Sequence, residues 1–238
     1  MKRIVSAAIA IILLVSLCSC QFISDLIPGK GEEYNSLPCT KDGIEEFLAL
    51  GELRGEGLFE GLEINRDNLF NVTPEAVSYK TDYKIFKASD SCASFILIDN
   101  EIFPICESFG GYGFVNAVPW DYDDDGVTDL LVASSWGSGI HISTISLFNA
   151  KTKESTVIYT TSPENEERID LIVSTQTPSF SSVDIKELPV YYVVYSVEIK
   201  VNDGNLANLS YNMNDVVGSI VYENGELIFK PTEKQKAS

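Results

Sequence analysis

From Val77 to Phe229 the chain is a succession of short apolar runs separated by Gly, Asn, Asp and Pro: "VSYKTDYKIFKA", "CASFILI", "IFPIC", "DLLVASSW", "HISTISLF", "STVIYTT", "IDLIVST", "VYYVVYSVEIKV", "NLSYNM" and "VGSIVYENGELIF". The runs are rich in Val, Ile, Tyr and Phe, residues that suit a pleated, half-buried surface, and their near-even spacing predicts an antiparallel all-β domain. Two turns stand out. "YENGEL" carries the Asn-Gly pair of a type I′ hairpin, and "VNDGNL", Val201 to Leu206, is a second turn of the same kind. One stretch has a different period: in "KDGIEEFLALGEL", Lys41 to Leu53, the residues Ile44, Phe47, Leu48 and Leu53 fall on one stripe and acids crowd the first turn, which predicts a short N-terminal helix. No whole-blade repeat is visible, and no pair of α/β lobes of the kind a solute-binding transport component needs.

Ahead of this pattern lies "MKRIVSAAIAIILLVSLCSC", with Lys2 and Arg3 followed by an unbroken apolar stretch and then small residues. The apolar core is too short to span a bilayer comfortably and has the layout of a secretory signal. Its end, with Leu17 three residues and Ser19 one residue before Cys20, resembles the bacterial lipobox, in which the signal is cut before an acylated cysteine. That resemblance implies a signal peptide over 1–19, a lipidated Cys20 with a tether over 20–40, and a folded domain over 41–238 held outside the cytoplasmic membrane, on the cell membrane or the outer membrane. The Pro-, Gly- and charge-bearing stretch from Gln21 to Thr40 suits a tether.

Charge narrows the partners. The formal net charge is −18, and loss of Lys2 and Arg3 with the signal takes it to −20. Such a surface repels nucleic acid and anionic headgroups, so the membrane contact expected is the lipid alone, and it favours divalent cations. Beyond Cys18 and Cys20, three cysteines remain, Cys39, Cys92 and Cys106. In an oxidising envelope they allow one disulfide in three pairings, and the expected pairing is Cys92 with Cys106, which flank two apolar runs joined by Asp99-Asn100-Glu101. No C-x-x-C pair or Cys/His cluster points to zinc or thiol redox chemistry.

The strongest local signal is "DYDDDGVTD": Asp121, Asp123, Asp125 and Asp129 at positions 1, 3, 5 and 9, with Gly126 at position 6. Crowded carboxylates repel one another, and a hard cation that takes six to eight oxygens at flexible angles relieves the repulsion. The spacing therefore predicts Ca²⁺, held by those four aspartates and by the Val127 carbonyl at position 7, with Tyr122 and Asp124 turned away. A helical calcium hand is excluded, because position 12 is Val132 within a strand-like run and not Glu. The stretch "FGGYGFVNAVPWDYDDDGVTDLLVASS" resembles the calcium blades of FG-GAP and VCBS-type repeats found in integrin-like β-propellers. Ala133 to Ser135 stand where that family carries Gly-Ala-Pro, and the loop occurs once where the family has several. The resemblance thus implies a partial or degenerate propeller, with a β-sandwich as the alternative, and the lack of a nucleophile or base motif near the loop points to a structural role for the ion.

Catalytic constellations are scarce. His141 is the sole histidine, and "WGSG" lacks the first glycine of a nucleophile elbow. The loop bearing Trp136, Ser138 and His141 is the candidate ligand-binding surface, since an aromatic ring beside flexible backbone stacks on sugars or peptide side chains. "FGGYG", Phe109 to Gly113, has no following helix and no nearby Lys, so it is expected to be a turn with close backbone approach and not a phosphate loop. Together these observations predict a non-enzymatic envelope lipoprotein whose calcium-stabilised β domain binds a protein or glycan. An extracytoplasmic hydrolase acting on carbohydrate and a structural envelope scaffold are the alternatives.

Overall fold

A computed structural model describes residues 34–35, 37–54, 61–106, 109–139, 141–161, 170–173, 187–193, 199–211 and 216–232. The expected signal peptide, Cys20 and the tether as far as residue 33 lie outside the described residues. Among the described residues no helix is long and apolar enough to cross a membrane.

The short strand β1 (Tyr34–Asn35) and helix α1 (Ile44–Arg54) come first. A sheet then forms from β2 (Leu69–Asn71), β3 (Lys84–Ala88), β4 (Ser94–Ile98) and β5 (Glu101–Pro104) in that order, with helix α2 (Glu75–Lys80) between β2 and β3. A second sheet repeats the meander with β6 (Gly113–Trp120), β7 (Asp129–Trp136), β8 (Ile142–Asn149) and β9 (Glu154–Thr160). After β10 (Asp170–Val173) and β11 (Glu187–Val193), the chain makes an excursion through β12 (Lys200–Val201) and β13 (Leu209–Tyr211), then returns as β14 (Val216–Glu223) and β15 (Glu226–Pro231). The third sheet has the order β10-β11-β14-β15, and the excursion pairs with β1 in a small sheet of order β1-β13-β12. Every pairing between the described strands is antiparallel, and an isolated Gly110–Gly137 bridge is parallel. The all-β, antiparallel expectation is met. The stretch expected to be tether enters this architecture at Tyr34, which pairs with Tyr211.

Local chemistry accounts for the tight connections. In the β4–β5 hairpin Asp99 (φ 53) and Asn100 (φ 60) occupy the two central turn positions, and in β14–β15 Asn224 (φ 53) and Gly225 (φ 87) do the same. Both are the type I′ geometry, whose twist matches that of the flanking strands. The Asp203-Gly204 turn also has two positive φ values, but it sits inside a longer connection, because pairing resumes only at Val201 with Leu209. Helix α2 was not expected, since the apolar run from Val77 suggested extended chain. Its signal is Pro74-Glu75: Pro74 sits at the N-cap, Glu75 lies in the first turn, and Lys80 lies in the last.

The core is layered. Helix α1 packs Ile44 and Phe47 on one face of the first sheet, against Phe86, Ala88, Phe95 and Ile102. The other face, with Ile85, Ile96 and Ile98, meets Phe114, Leu130, Val132 and Phe148 of the second sheet, and Leu209 and Tyr211 join from the small sheet. The second sheet's far face, with Val118, Trp120, Leu131 and Ile145, packs on Val217, Ile220, Leu227 and Phe229 of the third. A sheet covered on both sides needs apolar residues at nearly every position, which explains why β6 is buried throughout and why β7 reads as an unbroken apolar run at its start.

Lys87 is a fully buried cation in this core. It is 0% exposed and shares the inward face of β3 with Ile85. Its Nζ donates to the Phe114 carbonyl at 2.8 Å, where a register shift in β6 between Phe114 and Asn116 interrupts the ladder with β7. Burial pulls the amine down to about 7, against the pull of Cys106, Cys92 and Cys39.

None of those three cysteines is disulfide-bonded, so the Cys92–Cys106 bridge is not formed. The hairpin is present, but β4 starts at Ser94 and β5 ends at Pro104, which leaves both cysteines outside the paired register that was expected to set them opposite each other. The Cys92 carbonyl is engaged elsewhere: it accepts from Ser94 Oγ at 3.1 Å and lies where a Cβ on Gly113 would come to 2.1 Å from it.

Candidate metal centre

The acidic segment is the connection between β6 and β7, and Trp120 pairs with Asp129 at its base. Two antiparallel strands thus fix both ends of the loop, and no helix flanks it. Within it the carboxylates of Asp121, Asp123 and Asp125 converge, each offering an oxygen within 4.8 Å of the others. At that spacing each like-charged pair is repulsive by about 1 kcal/mol in water and several-fold more in a protein-like dielectric.

The loop's backbone amides hold the trio in place. Asp121 accepts from the N–H of Asp125 through Oδ1 and from the N–H of Gly126 through Oδ2, both at 3.1 Å. Asp123 Oδ1 accepts more weakly from the Asp125 N–H at 3.4 Å, and Asp125 Oδ1 accepts from the Val127 N–H at 2.8 Å. These local bonds reflect the habit of Asp side chains to satisfy backbone donors a few residues on. The positive φ of Gly126 (83°) and of Asp124 (58°) lets the chain wrap around the carboxylates. Asp124 is exposed and takes no part in the trio, whereas Tyr122 leaves the loop and packs edge-on to Tyr222, with ring centres 5.1 Å apart.

Asp129 behaves differently. It is 2% exposed, at the start of β7, and its Oδ1 accepts from the Ala150 N–H at 2.7 Å, which ties the loop's exit to the β8–β9 turn. Burial pushes its carboxyl up to about 6, the neighbouring charges of Asp123, Asp125 and Asp121 add to the shift, and the Ala150 bond opposes it. Val127 is half-buried and packs against the main core cluster. Tyr83 reaches in from the turn before β3 and donates through its hydroxyl to the Thr128 carbonyl at 2.9 Å; burial pushes it up to about 12.

The donor set consists of hard oxygens, which fits Ca²⁺ and disfavours thiolate- or imidazole-seeking ions. A carboxylate has about four lone-pair sites, so the amide bonds leave Asp121, Asp123 and Asp125 able to ligate. Lys151 was not anticipated: its Nζ lies 3.4 Å from Asp125 Oδ2, the one basic group seen on the trio among the described residues. It stands at the far end of the β8–β9 turn, a proximity that no local pattern reports.

Trp136, Ser138 and His141 have different immediate surroundings. Trp136 ends β7, half-buried, and donates through Nε1 to Thr144 Oγ1 at 3.2 Å. Ser138 is exposed, and His141 packs edge-on to Tyr112, with ring centres 4.6 Å apart. The "FGGYG" turn lies against this loop as close backbone approach requires: Gly137 N–H donates to the Phe109 carbonyl at 2.7 Å, and Tyr112 N–H donates to the Ser135 carbonyl at 3.1 Å. Sequence reasoning missed the hydroxyls of Ser134, Thr144 and Ser146, which alternate with apolar residues on β7 and β8 and are all at least nine-tenths buried. The signal was a period-two placement of Ser and Thr within otherwise apolar strands.

Comparison with known proteins returns no matching family model, no similar curated protein and no similar solved structure.

Proposed function

We propose that the chain is a cell-envelope lipoprotein, anchored outside the cytoplasmic membrane through Cys20, whose calcium-stabilised β domain binds a protein or glycan and catalyses no reaction. The observation that carries this reading is the convergence of Asp121, Asp123 and Asp125 within 4.8 Å in a loop clamped by two strands. Those three would hold Ca²⁺, with Asp129 and the Val127 carbonyl completing the oxygen shell. The ion supplies positive charge that offsets the repulsion, and it fixes the β6–β7 connection and, through Asp129, the β8–β9 turn. A propeller-like, partial arrangement is favoured over a sandwich by three successive four-stranded antiparallel sheets that pack face on face.

Calorimetric titration of the full-length chain with Ca²⁺ tests the centre: saturable binding that disappears in Asp121→Asn/Asp123→Asn is expected, and a flat titration of the wild type refutes it. Metabolic labelling with a fatty-acid analogue tests the anchor: wild type takes the label and Cys20→Ala does not, and equal labelling of both removes the anchor.

A further inference from the structure

The first and second sheets pack tightly only over part of their shared face. β5 ends at Pro104 after four residues, whereas β7 and β8 run for eight each. The second sheet therefore extends beyond its cover, and a cavity of about 490 Å³ opens between the end of β5 and the outer half of β7–β9. That volume falls within the range of small-molecule sites, roughly 300–1,000 Å³.

Its lining is unusual for this chain. Ser134, Trp136, Thr144, Ser146 and Thr160 face the cavity from the sheet, Cys106 faces it from the opposite wall, and no Asp, Glu, Lys, Arg or His is among the described residues that line it. Ser134 pairs with Thr144 across β7 and β8, so these hydroxyls stand on one face of the sheet as a fixed array. Ser134 is 4% and Ser146 is 6% exposed, and neither hydroxyl makes a hydrogen bond among the described residues. Both hydroxyls open on the cavity, where water or the hydroxyls of a ligand that displaces it supply the missing partners. Trp136 is oriented by its bond to Thr144, and an indole so fixed offers an apolar ring face beside the polar groups.

We infer that this cavity binds a neutral, polyhydroxylated ligand the size of one sugar residue, with the hydroxyls of Ser134, Ser146 and Thr160 meeting its hydroxyls and the Trp136 ring covering its C–H face. The described lining residues offer no counter-charge to offset the desolvation of a carboxylate or an ammonium ligand, which favours a neutral one. The inference rests on the ligand-binding reading above and names its glycan branch.

The test uses the full-length chain in a sugar-free detergent, with D-glucose, D-galactose and N-acetyl-D-glucosamine as neutral probes and D-glucuronate and D-glucosamine as charged ones, followed by saturation-transfer NMR. At least one neutral probe binds, the charged probes bind more weakly, and Ser146→Ala and Trp136→Leu each weaken the neutral probe by roughly tenfold, while Glu226→Gln, at an exposed position in β15 outside the lining, leaves it unchanged. A second readout needs no variant: saturating neutral sugar slows alkylation of Cys106, with Cys39 as the internal reference. Failure of every neutral probe to bind, preference for a charged one, or an alkylation rate of Cys106 indifferent to bound sugar overturns the cavity assignment. Sugar binding that survives Ser146→Ala and Trp136→Leu also overturns it but leaves the ligand-binding reading standing; that reading falls separately, if neither glycans nor crosslinked envelope proteins associate with the chain.

Discussion

At one end of the β6–β7 hairpin three carboxylates lie within 4.8 Å of one another at the surface, and at the other end a single lysine, Lys87, is sealed in the core against the Phe114 carbonyl. Both places concentrate charge where it is costly, and they relieve it in opposite ways. The loop is open to water and to ions, so a bound cation could offset its repulsion. Lys87 has no such access, so its charge is relieved by loss of a proton, and burial sets its value near 7. Exposure therefore decides whether a strained charge becomes a binding site or a titrating structural group.

The largest expected effect concerns Lys87. Lys87→Ala removes the buried stem and orphans the Phe114 carbonyl, and is expected to lose roughly 3 kcal/mol at alkaline pH by chemical denaturation. The folded value is lowered from 10.5 to about 7, so the unfolded chain binds more protons between those limits and stability rises with pH across that window, then stays level below it. Lys87→Met keeps the stem and cannot be charged, and it should remove that rise; a Met variant that still gains stability between pH 7 and 10.5 breaks the contrast.

Calcium comes next. At a free concentration one hundred times its dissociation constant it should add about 2.7 kcal/mol. Asp121→Asn should lose most of that increment, and identical melting of the wild type in calcium and in chelator would remove the loop from the comparison.

Asp129 sharpens the same boundary. Its carboxyl is raised from 3.8 to about 6, so in chelator the contribution is complete below 3.8 and is lost as pH rises through about 6, on the order of 2 kcal/mol. The difference in melting between wild type and Asp129→Asn should follow that curve in chelator and flatten or reverse in calcium. A pH-independent difference in chelator would show that the burial of Asp129 is not felt as charge.

The smallest effect belongs to Lys151, whose ammonium is 71% exposed beside Asp125. Lys151→Ala should change stability by less than about 0.5 kcal/mol in chelator. In calcium it should slightly strengthen binding of the ion, because a competing positive charge leaves the site; weaker binding would mean that Lys151 orders the loop.

Much of the sheet architecture was legible because strands announce themselves through adjacent residues. "SFILI" and "EIFP" flank Asp99-Asn100, and "VYENGELIF" contains its own turn, so β4–β5 and β14–β15 follow from local backbone preference. Helix α2 was obscured because Val77 and Tyr79 have strand-like character, and the helix-starting Pro74-Glu75 was outweighed by them. The disulfide expectation went astray at the same level: spacing along the chain suggested opposition, but the strand ends stop short of Cys92 and Cys106.

The acidic loop was readable because its converging carboxylates are neighbours in the chain, and an Asp at every second position constrains where their oxygens point whatever surrounds them. Nothing comparable announces Lys87, whose sequence context is an ordinary alternating strand, because its burial depends on Phe114 arriving from another sheet with a carbonyl freed by a shifted register. The cavity is likewise a product of unequal strand lengths in two sheets, and Lys151 meets Asp125 only because the β8–β9 turn folds back beside the loop. Local spacing could therefore define strands, turns and a cluster of acids, while the company kept by a buried amine, a cavity-facing hydroxyl or a distant lysine waited on packing, which joins groups that the chain separates by tens of residues.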